Sequence, residues 1–349
     1  MQTPRIDTVQ LSDDGSALVI IDQTLLPGEL KYLSLTKTED IWEAIRALRV
    51  RGAPAIGVAA GFGAYLAAKH APAGEAERSF YAACDYLATS RPTAVNLFYA
   101  LERMKSAMGR LSGRSEGEIV AGLRAEAQAI MDDDLEMSQR MGEHGRALIK
   151  PGMGILTHCN AGALATSGLG CGLAPVYAAL DAGVEGLRLY CDETRPLLQG
   201  ARLTAFEGMA LGLDTTLLCD NMASSLMKEG KVDIIIVGCD RVAANGDTAN
   251  KIGTSGVAIL AKHYGVPFYV CGPSSSIDMA LKSGAEIPIE HRAPEEVTEL
   301  WYAQRMAPAG VKVYNPAFDV TDAALIAGII TEHGIARAPF EEDFRRWGL

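Results

Sequence analysis

The sequence predicts an α/β protein in two parts. A mostly helical N-terminal domain carrying a small antiparallel strand unit is followed by a doubly wound parallel-sheet domain. Three observations predict this. From Gly152 onward, short apolar runs alternate with helix-like stretches, the rhythm that builds a parallel sheet. Before Lys150, apolar residues recur mainly at helical spacing. Within Lys231–Ser255, the polar residues Asp240, Asn250 and Lys251 follow one buried apolar run, where such sheets bind their ligands. Lys150-Pro151-Gly152 marks the boundary, giving domains 1–150 and 151–349.

Residues 1–35 alternate weakly between two turn signals, Asp13-Asp14-Gly15 and Pro27-Gly28, and read as the small strand unit. Glu39–Val50 has helical spacing, with Ile41, Ile45 and Leu48 on one face. Arg51-Gly52-Ala53-Pro54 interrupts it before helix resumes over Ala55–Lys69. Ala76–Ala88 and Ala94–Met108 read as helices separated by Ser90-Arg91-Pro92-Thr93, and Ser115–Leu148 as a long amphipathic stretch. The expected strands are Gly154–Thr157, Leu187–Tyr190, Thr215–Leu218, Ile234–Val237 and Phe268–Val270. The intervening helices are Leu164–Ala182, Leu198–Leu211, Ala223–Lys228 and Val257–His263.

Composition narrows the function. A formal net charge of −11 argues against a nucleic-acid footprint, which needs a basic face. A small anionic substrate stays compatible, since a few local cations can dominate a pocket. The start MQTPRIDTVQ lacks the basic and apolar regions of a signal peptide. Pro151–Leu180 is long and uncharged, but His158, Asn160, Pro175 and glycines interrupt it, so no membrane span is expected. No cysteines form a CxxC pair, and a reduced, cytosolic setting is the default.

Of the seven cysteines, Cys159, Cys191, Cys219, Cys239 and Cys271 fall at the carboxyl ends of expected strands, along one sheet edge. A metal cluster is disfavoured because metal sites want ligand pairs a few residues apart. Cys159 stands apart: Asn160-Ala161-Gly162 is expected to open a helix, which would stabilise its thiolate. His158 is not paired with it, because adjacent strand residues face opposite sides. Gly168-Leu169-Gly170-Cys171-Gly172 is half a dinucleotide fingerprint in the wrong place, so a nicotinamide cofactor is not expected. Asn245-Gly246-Asp247 is a turn, and Gly253-Thr254-Ser255-Gly256 before a helix offers backbone N–H groups to an anion. Asp240 could equally cap a helix or pair with Arg241.

VRGAPAIG (Val50–Gly57), SRPTAVNL (Ser90–Leu97), CNAGALAT (Cys159–Thr166), ETRPLLQGARLTAFE (Glu193–Glu207), GCDRVAANGDTANKIGT (Gly238–Thr254) and NPAFDVT (Asn315–Thr321) occur in this order. Together they resemble the methylthioribose-1-phosphate isomerase family, itself related to the regulatory subunits of translation initiation factor 2B. The resemblance runs from about Leu25 to Glu332. It implies a helical N-terminal domain, a Rossmann-like C-terminal domain, a homodimer, and no metal or organic cofactor. It implies the catalytic pair Cys159 and Asp240. It also implies substrate binding by Arg51, Gly52, Ala53, Arg91, Gln199, Asn250 and Lys251. Cys239 stands where alanine is common in the family, and Asp322 where proline is usual.

The residues accommodate that chemistry. Arg51 and Arg91 lie on loops beside Gly and Pro, and with Lys251 they make a phosphate clamp, Arg as a planar fork and Lys as a point charge. The reaction that the resemblance implies is an aldose-to-ketose isomerisation of a sugar 1-phosphate in methionine salvage. Burial is expected to keep Asp240 protonated as the acid, with Cys159 as the base. A hydride shift from C2 to C1 is the alternative. Other substrates of the same chemistry would be 5-deoxyribose 1-phosphate or ribose 1,5-bisphosphate, the latter needing a second cationic cluster that the sequence does not offer. A non-enzymatic regulatory subunit is disfavoured because both Cys159 and Asp240 are present.

Overall fold

The computed structural model describes residues 3–91 and 94–349. They form two compact units. One comprises Arg5–Met137 and Ala163–Gly170; the other comprises residues 3–4, Ser138–Gly162 and Cys171–Leu349. Pro92 and Thr93 of the SRPTAVNL motif lie outside the described residues.

In the first unit, β1 (Val9–Leu11), β2 (Leu18–Ile21) and β3 (Tyr32–Leu35) form the expected antiparallel sheet. The helices are α1 (Thr38–Arg46), α2 (Ala53–Lys69), α3 (Ala76–Ala88), α4 (Val95–Leu111) and α5 (Glu116–Arg146), whose last turns belong to the second unit. Helix α2 is buried on nearly every side, as its run of Ala, Gly and apolar residues dictates. Its small residues let neighbours approach: a Cβ on Gly57 would lie 2.9 Å from the Asn96 carbonyl oxygen at the start of α4. Gly52, just before α2, has φ +89°, and a Cβ there would come 2.3 Å from the Ala165 oxygen. Only glycine fits both constraints.

The second unit is built on a seven-stranded sheet. In chain order its elements begin β4 (Gly154–Thr157), α6 (Ala174–Asp181), β5 (Arg188–Asp192), α7 (Ala205–Ala210), β6 (Asp214–Leu218), α8 (Ala223–Lys228) and β7 (Ile234–Val237). Then come β8 (Arg241–Ala243), β9 (Thr248–Lys251), α9 (Thr254–Tyr264), β10 (Phe268–Cys271), β11 (Ile277–Asp278) and α10 (Glu295–Thr298). The chain finishes with β12 (Phe318–Thr321), β13 (Gly328–Thr331), β14 (Gly334–Ala336) and α11 (Phe340–Arg346). The large sheet runs β14-β13-β10-β7-β4-β5-β6 and is parallel except at β13–β14. The helical and parallel-sheet architecture is the predicted one, and all five expected strands are present. The sequence reading lacked the four-stranded sheet β11-β8-β9-β12, whose β8–β9 hairpin turns at the expected Asn245–Asp247.

Two expected helices differ. Leu164–Ala182 is not one helix: a short 3-10 turn at Ala163–Ala165 is followed by loop, and α6 starts only at Ala174. Side chains capture the backbone donors that a helix would use. The Thr166 hydroxyl accepts from the N–H of Gly168 and Gly170, and Asp134 accepts from that of Ser167. Of the expected Leu198–Leu211, Leu198 stays outside the helix with φ 57°, Gly200–Thr204 is wound as a π-helix, and α7 follows to Ala210.

The start of α9 also differs from expectation. Asp319 on β12 accepts from Gly253 N–H (2.8 Å), Ser255 N–H (3.1 Å) and the Ser255 hydroxyl (2.9 Å). Two of the backbone donors read as an anion cradle, those of Gly253 and Ser255, are already taken by a carboxylate of the chain. Asp319→Ala should therefore lower stability by about 0.5–2 kcal/mol, the cost of losing a helix cap. Denaturant unfolding checks this, and an unchanged midpoint would contradict the capping role.

Candidate active site

Strand β4 pairs with β7 on one side and β5 on the other. From β4 the chain winds outward through β5 and β6, then returns to β7 and winds the other way through β10 and β13. The β4–β7 pair is thus the topological switch point, where doubly wound sheets open a crevice at the strand carboxyl ends. Cys159 follows β4 and Asp240 follows β7. Adjacent strands lie about 4.8 Å apart, so the switch brings these two segments together although they are far apart in sequence.

Cys159 is buried and has φ +67°. Its N–H donates to the Thr194 hydroxyl at 2.8 Å, and its carbonyl accepts from the Thr204 hydroxyl at 2.6 Å. It does not open an α-helix: only the 3-10 turn at Ala163–Ala165 follows. The expected helix-dipole effect on its thiol is therefore absent, and side-chain hydroxyls fix its backbone instead. Asn160 donates to Glu207, which is fully buried, at 2.7 Å.

Thr194 and Leu198 also adopt positive φ, 63° and 57°, in the segment that carries Gln199. Gly200 sits so tightly that a Cβ would meet the Asp192 carbonyl oxygen at 1.7 Å. Gln199 is buried, and its Oε1 finds no hydrogen-bond partner among the described residues. A buried acceptor of this kind suits a ligand hydroxyl.

Asp240 is exposed, which corrects the expected burial. Strand β7 is fully buried but ends at Val237, and the next three residues carry the chain out to solvent. The Asp240 N–H donates to the Ala249 carbonyl, so the β8–β9 hairpin sets Asp240 beside Asn250. The Asn250 side chain donates to the Thr254 hydroxyl at 3.1 Å. Lys251 donates to the Ala317 carbonyl at 3.1 Å, with its ammonium 4.1 Å from the Phe318 ring centroid. Cys159, Gln199, Asp240, Asn250 and Lys251 thus all belong to the sheet unit.

Arg51, Gly52, Ala53 and Arg91 belong to the helical unit. Arg51 and Gly52 precede α2, whose first turn starts at Ala53, has no side-chain cap and contains no acid. That end of a helix favours an anion. Arg91 accepts the Ala94 N–H through its carbonyl, just before α4.

Sequence reasoning missed His158. Its ring is buried, with Nδ1 3.0 Å from Asp192 Oδ2 and Nε2 2.8 Å from the Ile252 carbonyl oxygen. The missed signal was Gly253: with φ +104°, a Cβ there would lie 2.8 Å from the His158 ring.

All five strand-end cysteines line the carboxyl edge of one sheet, as expected, and none of the seven cysteines is in a disulfide. Among the described residues, no cysteine belongs to a group of three or more ligand side chains close enough to share a metal ion. Burial pushes the thiols of Cys191, Cys239 and Cys271 up, which keeps them in the unreactive form. Cys191→Ala, Cys219→Ala and Cys239→Ala should each keep most of the activity, with no stoichiometric metal by elemental analysis. A folded variant of this set that loses turnover would overturn that expectation.

Residues 49–338 match the initiation factor 2 subunit family. A methylthioribose-1-phosphate isomerase of Symbiobacterium thermophilum is 62% identical, with 98% of this chain and 96% of the relative covered. A 5-deoxyribose 1-phosphate isomerase of Petrotoga mobilis is 55% identical over 97% of this chain and 98% of its own. The crystal structure of 5-methylthioribose 1-phosphate isomerase from Pyrococcus horikoshii OT3 superposes with a TM-score of 0.92 at 47% identity, covering 98% and 95% of the two chains. This chain belongs to the initiation factor 2 subunit family and, within it, to the group that holds these sugar-phosphate isomerases.

Proposed function

We propose that this protein is an aldose–ketose isomerase that converts 5-methylthioribose 1-phosphate to 5-methylthioribulose 1-phosphate in methionine salvage. The observation that carries the reading is the placement of Cys159 and Asp240 after the two strands that flank the switch point. The names of the most similar relatives support the substrate.

The anomeric carbon carries the phosphate, so the ring C–O bond must break without a free aldehyde. Asp240 gives a proton to the departing ring oxygen. Being exposed in the free chain, it gains its protonated form when bound sugar excludes water from it. Cys159, as thiolate, takes the C2 proton and returns it at C1, while the C2 hydroxyl gives up its own proton, replacing the one that Asp240 delivered, to leave a ketone at C2. Gln199 accepts a sugar hydroxyl through its buried Oε1. On the family resemblance, Arg51, Gly52, Ala53, Arg91, Asn250 and Lys251 bind substrate, with Arg51, Arg91 and Lys251 supplying the cations for its phosphate. No metal or organic cofactor is needed for these steps. The protein is read as a cytoplasmic homodimer without a nucleic-acid partner, on the family resemblance and the net charge of −11. No helix among the described residues is long and apolar enough to cross a membrane.

The test is turnover of methylthioribose 1-phosphate and of 5-deoxyribose 1-phosphate by purified protein, with the ketose product identified. The larger kcat/KM is expected for the methylthio sugar. A larger value for the deoxy sugar would reassign the substrate, and no turnover of either would end the isomerase reading.

A further inference from the structure

We propose that His158 is a positioning residue, a buried ring whose bonds to Asp192 and to the Ile252 carbonyl tie the Cys159 turn to the Lys251–Gly253 turn. The inference rests on the isomerase reading and adds a residue to which that reading gives no role. His158 precedes Cys159, and Ile252 follows Lys251. The same ring fills the space over Gly253, where a side chain would collide with it. Asp192 ends β5, two residues before Thr194, whose hydroxyl holds the Cys159 N–H. One ring therefore connects three segments: those bearing Cys159, Lys251 and the Thr194–Gln199 turn.

The proton inventory identifies the ring's state. Nε2 faces a carbonyl oxygen and must carry a hydrogen. Nδ1 faces a carboxylate, so one further proton is shared between His158 and Asp192. Burial opposes charge on both partners. On His158, however, the bond to Asp192, the charges of Asp192 and Asp220, and the Ile252 carbonyl outweigh burial and raise its pKa. On Asp192, burial and the nearby charges of Asp220 and Glu193 push upward against the pull of His158. We place the proton on the ring, because Asp220 adds a second negative charge beside it. Asp220 itself accepts N–H bonds from Thr194 and Arg195 at 2.7 and 2.8 Å, so it belongs to the same brace. His158, Asp192 and Asp220 offer ligand atoms within 4.8 Å of one another. A metal there would displace the Nδ1 hydrogen and break the tie.

Ring nitrogen NMR on protein labelled with ¹⁵N-histidine tests the state directly. The His158 signals are assigned by their loss in His158→Gln or, should that variant not fold, by their change in Asp192→Asn. Both ring nitrogens should carry hydrogen from about pH 6 to 8, where an ordinary histidine titrates. A bare ring nitrogen in that window, or stoichiometric metal in the purified protein, would overturn the proposal. Kinetics test the positioning. Folded Asp192→Asn and His158→Gln should lose about 10²-fold in kcat, the scale of a small misplacement, with KM changed far less. His158→Gln, which keeps a donor for Ile252, should outperform His158→Leu. Unchanged kcat in folded variants would remove the role. If wild-type protein turns over neither sugar, the isomerase reading fails by itself, while the NMR result still decides the tie.

Discussion

Asp240→Asn should lower kcat by at least ~10²-fold, the usual scale for general acid–base work, while leaving the fold intact. The two halves of this expectation have separate grounds. The side chain is exposed, and the backbone N–H is what joins Asp240 to Ala249, so the amide removes no packing and no sheet bond. The thermal midpoint should stay at the wild-type value. Catalysis is lost because an amide cannot deliver a proton to the ring oxygen. Full kcat in Asp240→Asn would strip the residue of its acid role, and a fall in stability equal to the fall in rate would mean that its part is structural.

Cys159→Ser should be as severe if the thiolate takes the C2 proton, since a serine hydroxyl is far less acidic. The replacement is nearly isosteric, and the Thr194 and Thr204 hydroxyls that fix the turn bond its backbone rather than its sulfur. Geometry is thus preserved while basicity is removed. Running the wild-type reaction on C2-deuterated substrate in ordinary water separates the routes. Label lost to solvent supports proton transfer through Cys159. Full retention at C1 together with near-normal turnover by Cys159→Ser would sink the base assignment in favour of a hydride shift.

The parallel sheet was legible because each central strand is a short apolar run rich in β-branched residues and buried on both faces, as Ile234–Val237 shows. The second sheet was not, because its strands are short and polar: Thr248–Lys251 reads TANK, and its partner β12 lies some seventy residues on. Leu164–Ala182 looked helical from its small apolar residues, yet Thr166 and Asp134 side chains outcompete the helix for backbone donors. For the candidate site, motif order pointed to Cys159, Asp240 and their neighbours, but said nothing of their surroundings. Treating His158 and Cys159 as strand residues hid the turn at Cys159, whose positive φ ends the strand's alternation. Asp240 was judged buried from the strand before it, which stops three residues earlier. At Asp322, where the resemblance implies proline, the carboxylate accepts the Ala324 N–H and caps the turn there.

The carboxylate that completes the Lys251–Ser255 turn comes from Asp319, 66 residues beyond Gly253. β9, which carries Asn250 and Lys251, likewise waits for β12 to complete its pairing. The hairpin can close on itself early, through contacts local in sequence. Its outer partner cannot arrive until a long loop has closed, at an entropic cost that grows with loop length. During synthesis, the core strands β4, β5, β6, β7 and β10 emerge before residue 319 does. The chain can therefore assemble most of its sheet while the hairpin that carries Asn250 and Lys251 still lacks its outer partner, which makes ordering of the candidate site a late event in folding.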